Sequence, residues 1–271
     1  MAFACLNICG LRSKLNVPDF CEYVNKFDIF ICNETKLDQF DYIELNNYSF
    51  ISKHRKQKAR KRSGGIGVFV KNSMLSSVEP IDTECEYVQW FKLSKHILNT
   101  DEDVYFGAVY VPPDNTKFYS REMYALFYEE LEQFTTNNKH VILSGDFNAR
   151  TGVLPDITDV DNFLYEQVDI NTNDVFDNDM NDVLVKNNLL LKRDSQDITV
   201  NRYGTNLIDF CKNNELIVLN GRSFEDKYVG KFTCKNASVV DYVIASKDAI
   251  TFFVSLKSKA FAHFYRMYIV Q

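Results

Sequence analysis

The sequence contains no long hydrophobic run and no basic leader. No window of about 18 unbroken apolar residues occurs in the chain, whereas a membrane-spanning helix needs about 20. The N-terminal stretch MAFACLNICGLRSKL has no positively charged start, and Asn7 interrupts its apolar part, which is unlike a secretory signal. We therefore expect a soluble intracellular protein of the nucleus or cytoplasm that contacts no membrane.

Paired metal-binding cysteines are also absent. The seven cysteines form no Cys-x-x-Cys pair, and the four histidines show no ligand spacing with them, which argues against a zinc site. The number of cysteines is odd, and most of them lie inside apolar runs. We therefore expect reduced thiols in the core, as in intracellular proteins, and not a disulfide framework.

The formal charge is −6, which argues against a protein that coats nucleic acid non-specifically. The charge is unevenly distributed, however. Residues 53–62 contain seven Lys or Arg, whereas residues 151–185 contain nine Asp or Glu and no Lys or Arg. The polar segment at about 155–181 shows no clear period, so we predict a long acidic surface loop there.

The chain shows neither repeats nor a Pro- or Ser-rich linker, so we expect one domain over residues 1–271. Short runs rich in Val, Ile, Phe and Tyr, bounded by Gly, Asn, Asp or Pro, predict strands. These runs are residues 3–9, 28–32, 66–70, 87–93, 104–111, 140–144, 216–219, 231–234, 239–245 and 252–256. Helical periodicity appears at 17–27, 120–134 and 203–214. Many strands and few helices predict an α/β fold in which two packed sheets are flanked by helices.

The stretch HVILSGDFNARTG, residues 140–152, places polar residues directly after an apolar strand. On an extended backbone Asp146 and Asn148 project from one face, whereas Phe147 projects from the other. A strand-end Asp or Asn is most often a cap or turn residue. The alternative is that both side chains belong to a catalytic edge.

Other apolar strands carry similar groups. Asn7, Glu34 and Tyr110 stand at or near the ends of such runs, and Asp241 lies inside the apolar run SVVDYVIAS. A buried carboxylate is costly unless it is paired, so Asp241 is the least easily explained as a surface residue. Together these side chains predict a polar floor between the sheets.

The order of these motifs resembles the endonuclease/exonuclease/phosphatase superfamily, and most closely the endonuclease domains of non-LTR (LINE-like) retrotransposons. The motifs run from Leu6 to about Phe253: LNICGL, NET, GGIGVFV, VYVPP, GDFNARTG, GKFTC and VVDYVIAS. The resemblance implies a four-layered α/β sandwich with two mainly antiparallel sheets and an active site at the edge where they meet. It also implies Mg²⁺-dependent cleavage of DNA phosphodiester bonds, with Mn²⁺ as the alternative ion, and no obligate protein partner.

The matching motifs imply roles for individual residues. Glu34 would be the main metal ligand, with Asn7 beside it, because Mg²⁺ prefers carboxylate and amide oxygens. Asp146 would orient or deprotonate the attacking water, and Asn148 would hold that water or a phosphate oxygen. Tyr110 would donate a hydrogen bond to the phosphate.

Three further assignments concern the C-terminal half and the basic run. Thr233 in GKFTC would contact DNA, and Asp241 would orient His263 as a carboxylate orients a catalytic imidazole. The basic run has three open interpretations: a solvated loop, a nuclear-localisation patch, or a surface that contacts phosphates flanking the cleaved bond. In the last interpretation the contacts come from Lys56, Lys58 and Arg60.

The C-terminal tail departs from the family pattern. The family ends in Ser-Asp-His followed by a short apolar strand, whereas the degenerate tail here, residues 258–271, reads SKAFAHFYRMYIVQ. Only His263 matches, and Ala262 stands where the family has an aspartate that assists the metal site. We therefore expect catalysis to be weakened or lost.

Three functions consequently stay open. The first is a Mg²⁺-dependent DNA endonuclease from a retrotransposon; the chain lacks a Tyr-Ala-Asp-Asp reverse-transcriptase motif and so would be only the endonuclease part. The second is a phosphatase or phosphodiesterase of the same superfamily. The third is a catalytically impaired remnant that binds DNA or phosphate.

Overall fold

The fold is described by a computed structural model over residues 1–55, 62–157, 179–259 and 264–269. The strands in these ranges are β1 (Ala2–Asn7), β2 (Ile29–Asn33), β3 (Tyr48–Lys53), β4 (Ile66–Lys71), β5 (Val78–Ile81), β6 (Val88–Leu93), β7 (Val104–Tyr110), β8 (Val141–Asp146), β9 (Leu216–Val218), β10 (Asp241–Ser246), β11 (Phe253–Lys259) and β12 (Phe264–Ile269). The helices are α1 (Leu11–Leu15), α2 (Pro18–Val24), α3 (Lys95–Leu98), α4 (Arg121–Asn137), α5 (Asp179–Lys186) and α6 (Arg202–Asn213). Short 3-10 helices cover Asn72–Ser77, Phe224–Asp226 and Lys247–Phe252.

The strands form two six-stranded sheets. The first sheet has the order β11-β12-β1-β2-β4-β3, and the second has the order β5-β6-β7-β8-β10-β9. Only β1–β2 and β7–β8 are parallel among these neighbouring pairs; the others are antiparallel. The prediction of two mainly antiparallel sheets is therefore confirmed.

The main core lies between the two sheets. Phe3 of the first sheet stacks on Phe106 of the second, with 5.4 Å between ring centroids, and Phe106 stacks on Phe91 at 4.9 Å. On the outer face of each sheet, a smaller cluster of apolar side chains is buried under helices. Leu11 and Val24 pack with the first sheet, whereas α4 and α6 cover the second. The arrangement is the four-layered sandwich that the motif order implies.

Helix α6 fixes the segment that follows β8. Its N-cap residue is Asn201, whose Oδ1 accepts hydrogen bonds from the backbone N–H groups of Gly204 (2.7 Å) and Arg150 (2.9 Å). The amide nitrogen of Asn201 donates to the carbonyl oxygen of Asn148 at 3.0 Å. A Cβ atom at Gly204 would overlap the carbonyl oxygen of Arg150, so only glycine allows this close approach. One helix end therefore holds the GDFNAR turn.

One predicted strand is wrong, and three strands were missed. Residues 231–234 form only an isolated bridge between Cys234 and Ser238. The backbone N–H of Lys231 is already bound by Asp226 Oδ1, and that of Phe232 by Gln196 Oε1, so these donors are not available to a ladder. The missed strands are β3 and β5, each at a sheet edge, and β12, which pairs with β1.

Several predictions fall on residues outside the described ranges. They concern most of the acidic loop (residues 158–178), Lys56, Lys58, Arg60, Ala262 and His263. Helix α5 begins inside the range predicted as loop. Within the described ranges, no helix combines the length and apolarity needed to cross a membrane. All seven cysteines are free thiols, and four of them are buried.

Candidate active site

The two parallel strand pairs end at the same edge of the sandwich. In the first sheet Asn7, the last residue of β1, lies beside Asn33, the last residue of β2, and Glu34 follows directly. In the second sheet the last residues of β7 and β8, Tyr110 and Asp146, are also register partners. In each sheet the two parallel strands run in the same direction and end side by side. The first sheet therefore brings Asn7 and Glu34 to this edge, and the second brings Tyr110 and Asp146.

Two hydrogen bonds join the sheets there. The side-chain amide of Asn7 donates to Asp146 Oδ2 at 3.1 Å. The Tyr110 hydroxyl donates to Glu34 Oε1 at 2.7 Å. Both bonds link a residue of the first sheet to a residue of the second. Because Tyr110 and Asp146 are also register partners, four of the predicted site residues lie in one cluster.

Glu34 is held by its backbone as well as by Tyr110. Its φ angle is 54°, in the left-handed region that a non-glycine residue rarely adopts. The Glu34 carbonyl oxygen accepts from Gly10 N at 2.8 Å, and Lys36 N donates to the carbonyl oxygen of Gly64 at 2.8 Å. The chain on both sides thus fixes a strained turn that directs this carboxylate toward the edge.

Asp146 and Asn148 come together by a different route from the one predicted. Strand β8 ends at Asp146, and Asn148 has left the strand with a φ angle of 48°. The backbone N–H of Asn148 donates to Asp146 Oδ1 at 3.0 Å, and its side-chain amide donates to the Val111 carbonyl oxygen at 2.7 Å. The two residues are neighbours through an Asp-stabilised turn and not through strand alternation.

Asp241 begins β10, whereas the sequence placed it within the strand. Because β10 runs antiparallel to β8, its first residue lies opposite the last residue of β8, Asp146. The Thr233 hydroxyl accepts from the N–H groups of Val240 (3.0 Å) and Asp241 (3.2 Å). Thr233 is only 4% exposed, so the contacts it makes here position the start of β10. Asn220, which the sequence reading missed, donates to the Asp241 carbonyl oxygen at 3.1 Å.

Burial perturbs the two carboxylates. Burial, together with the charge of Glu34, raises the pKa of Asp146 to about 7, although hydrogen bonds from Asn7 and Asn148 act in the opposite direction. Burial and the charge of Asp146 raise the pKa of Asp241 well above its ordinary value. Asp241 Oδ2 is buried and has no hydrogen-bond partner among the described residues. Two such carboxylates are not both stable as anions unless a positive charge compensates them.

Two cations that the sequence reading missed flank the cluster. Lys36 Nζ lies 3.7 Å from Glu34 Oε2 and 2.9 Å from Cys9 Sγ. Arg55 is 7% exposed, and its guanidinium lies over the rings of Tyr110 (5.3 Å to the centroid), Tyr87 and Phe118. Arg55 Nε and Nη2 are buried, and residues 1–55, 62–157, 179–259 and 264–269 supply no hydrogen-bond partner for them. In the sequence, Lys36 is marked only by its position two residues after Glu34, and Arg55 only by its position within the basic run.

The other described members of the basic run contact their own chain. Lys53 Nζ donates to the Thr83 carbonyl oxygen, and Arg62 pairs with Asp38 and Asp41. These two cations therefore serve the fold, and Arg55 is the described member that lies beside the candidate site.

The donor set fits a hard, hydrated cation. The described part of the chain has no group of three or more His, Cys, Asp or Glu placed to hold a metal ion. Mg²⁺ does not need such a cage, because it is commonly bound by one or two carboxylates and keeps several waters. The Glu34 carboxylate and the Asn7 amide oxygen are ligands of this type, and the raised pKa of Asp146 marks a place where positive charge is favourable.

Solved structures share this fold at low sequence identity. The 3′ phosphatase NExo from Neisseria, bound to a product DNA hairpin, has a TM-score of 0.56 and 14% identity, with 100% of both chains covered. The AP endonuclease LMAP from Leishmania major has a TM-score of 0.60 and 14% identity, with 100% of this chain and 87% of that chain covered. The endonuclease domain of TRAS1, a telomere-specific non-LTR retrotransposon, has a TM-score of 0.57 and 11% identity, with 100% and 99% covered.

A search of curated protein sequences finds no match. The family model described as "Endonuclease/Exonuclease/phosphatase family" matches residues 4–258, a range that contains all the cluster residues described above. Because this match spans most of the chain, the protein belongs to the Endonuclease/Exonuclease/phosphatase family.

Proposed function

We propose that the protein is a divalent-metal-dependent endonuclease that cleaves DNA phosphodiester bonds by attack of water. The observation that carries this proposal is the pair of hydrogen bonds between the sheets, Asn7 to Asp146 and Tyr110 to Glu34. They bring a candidate metal carboxylate and a buried candidate base to the same edge. Family membership and the fold shared with a DNA-bound phosphatase support the choice of a phosphate ester as substrate.

Each residue of the cluster has a role that matches its environment. Glu34 and the Asn7 amide oxygen would hold Mg²⁺ or Mn²⁺, which supplies charge neutralisation at the scissile phosphate. Asp146 orients the attacking water and accepts its proton, because burial already favours its protonated form. Asn148 is held by its bond to Val111, so its amide group keeps a fixed orientation toward the same water or a phosphate oxygen.

Hydrogen-bond donors and cations would stabilise the charge that develops on the phosphate. Burial and the charge of Glu34 keep the pKa of Tyr110 far above its usual range, so the phenol keeps its single proton. It donates this proton to Glu34 here and would donate it to a phosphate oxygen once a bound metal ion holds the Glu34 carboxylate. Arg55 carries buried donors without partners and is available for a phosphate oxygen. Asp241 is proposed to orient His263, and Lys56, Lys58 and Arg60 are proposed to contact DNA. Thr233 is buried and its hydroxyl accepts from Val240 N and Asp241 N, so its proposed role is to hold the start of β10 at this edge and not to contact DNA directly.

The proposed origin of the chain is the endonuclease part of a non-LTR retrotransposon. The order of its motifs and the fold shared with the TRAS1 endonuclease domain support this origin. A phosphatase of the same superfamily would release phosphate from small esters without nicking plasmid DNA, so the two activities are separable in one assay series.

The first prediction concerns Glu34. We expect the protein to convert supercoiled plasmid to open circles with Mg²⁺ and not with EDTA. Glu34→Gln keeps the size of the side chain but removes the ligand charge, so the rate should fall at least about 100-fold. Glu44→Gln, the same change at an exposed glutamate, is the control and should nick at the wild-type rate. Equal nicking by wild type and Glu34→Gln would overturn the proposed metal site.

The second prediction concerns the missing aspartate of the tail. If Ala262 weakens support of the metal site, Ala262→Asp should raise the nicking rate about 10-fold or more. Ala260→Asp adds the same charge two residues earlier and should leave the nicking rate unchanged. Wild-type nicking that is already fast and unchanged in Ala262→Asp would show that the tail does not limit activity.

The third prediction concerns Arg55. Arg55→Met should weaken binding of a DNA duplex, measured in EDTA to prevent cleavage, about 10-fold, since it removes a phosphate donor. The free energy of unfolding should not fall by more than about 1 kcal/mol, because replacing an unpaired buried charge with an apolar side chain is not costly. Arg121→Met, at an exposed arginine, is the matched control. A large loss of stability with unchanged binding would assign Arg55 to the fold alone.

The fourth prediction concerns pH. The pKa of Asp146 is about 7 in the fold and near its ordinary value of 3.8 in the unfolded chain, so the folded state binds more protons between these values. In EDTA, the free energy of unfolding should therefore fall by about 2 to 4 kcal/mol as the pH rises from 4 to 7. Urea unfolding should show a smaller fall for Asp146→Asn. Asp209→Asn, at an exposed position, should behave like wild type; identical curves for all three proteins would contradict the burial argument.

A further inference from the structure

A second cluster of buried charges lies outside the candidate active site. It lines a cavity of about 480 Å³ next to β9 and contains Asp156, Arg193 and Arg222. None of the residues that line this cavity belongs to the cluster around Glu34 and Asp146. The established family and the proposed nuclease chemistry give these charges no role.

The cluster holds more positive than negative charge. Arg222 is 1% exposed and Arg193 is 5% exposed, and both face the single buried carboxylate of Asp156. Arg222 Nη2 donates to Asp156 Oδ1, and Arg193 Nε lies 3.9 Å from the same oxygen. The other carboxylate oxygen accepts from Val218 N at 2.8 Å. The remaining charged residues of the cavity wall, Lys192 and Asp194, are exposed and of opposite sign.

Several guanidinium donors of the cluster make no hydrogen bond. Arg193 Nε and Arg222 Nε and Nη1 are buried and have no hydrogen-bond partner within the part of the chain that the structure describes. Arg193 Nη2 donates a hydrogen bond to the Leu154 carbonyl oxygen at 2.9 Å. Each of the two guanidinium groups therefore has only part of its donors in hydrogen bonds. Burial and the neighbouring charge of Arg193 lower the pKa of Arg222, although Asp156 opposes this. Unsatisfied buried donors on a charged group are costly, and an anion in the cavity would remove that cost.

The backbone around Arg222 is rigid enough to keep these donors in place. Gly221 has a φ angle of 73°, and a Cβ atom there would overlap the carbonyl oxygen of Asp194. Asp194 N donates to the Gly221 carbonyl oxygen at 3.2 Å, and Leu190 N donates to that of Arg222 at 3.2 Å. Asp226 Oδ2 accepts from Gly221 N at 2.8 Å. The two segments that carry the arginines are therefore tied to each other.

We propose that Arg193 and Arg222 form a binding site for the phosphate group of a ligand, separate from the candidate active site. Planar guanidinium forks match the oxygens of a phosphate, and a net positive charge favours an anion. The cavity is large enough for a phosphate that carries a substituent. Free phosphate compounds and the DNA backbone both present a phosphate group. A competition experiment between inorganic phosphate and a DNA duplex distinguishes these two ligands.

The test measures binding of inorganic phosphate to the full chain by calorimetry, in EDTA and at constant ionic strength. Arg222→Lys and Arg193→Gln should each weaken binding about 10-fold or more, because each removes charge-assisted donors. Asp156→Asn should tighten binding several-fold, because it removes the competing carboxylate. Misfolding does not produce tighter binding, so this variant keeps the test decisive where an arginine variant fails to fold.

Two control variants separate this site from other anion sites. Lys192→Gln removes an exposed charge of the same cavity wall, and Arg121→Gln removes an exposed charge that belongs to neither site. Both should bind phosphate within about twofold of wild type. Absence of phosphate binding, or binding lost in Arg55→Met and retained in Arg222→Lys, would overturn the proposal. This result is independent of nicking activity, so it stands or fails apart from the proposed nuclease function.

Competition with DNA identifies the source of the phosphate. If phosphate displaces a DNA duplex from wild type but not from Arg222→Lys, the site contacts the DNA backbone. If phosphate binds without displacing DNA, the site takes a free phosphate compound. Both results support the site and differ only in its ligand.

Discussion

The site depends on hydrogen bonds that close one edge of the sandwich. Apolar packing such as Phe3 on Phe106 holds the two sheets together, but it does not choose the orientation of the polar side chains at the strand ends. The bonds from Asn7 to Asp146 and from Tyr110 to Glu34 do so, because each has a direction and joins one sheet to the other. A one-residue slip of β1 or β8 within its sheet would turn Asn7 or Asp146 to the opposite face and break the bond between them.

Several features that destabilise the folded chain lie at this same edge. Asp146 and Asp241 are buried as register partners, Arg55 is buried without an ion pair among the described residues, and Glu34 occupies a strained backbone conformation. Each of these features reduces the stability of the folded chain. They lie together at an edge where a bound cation and a phosphate would compensate them. The pattern is typical of a site that is organised for its ligands before they bind.

Sequence reasoning succeeded where a short-range pattern decides the structure. The central strands are continuous apolar runs between turn residues, and the helix at Arg121–Asn137 has a periodic apolar face and a Ser120 cap, so both could be predicted. It failed at edge strands such as β5, where Pro80 and Glu79 mask the pattern. It also failed at 231–234, because Asp226 and Gln196 bind the backbone donors that a strand would need.

The central apolar strands, the residue types of the candidate site and the family likeness follow from the sequence alone, since these depend on local order along the chain. Tertiary structure alone decided that Asp241, as the first residue of an antiparallel strand, faces Asp146. It also placed Arg55 over Tyr110 and paired Arg193 and Arg222 around a single carboxylate. These contacts join residues far apart in the chain, and their energies depend on burial, which a one-dimensional pattern does not contain.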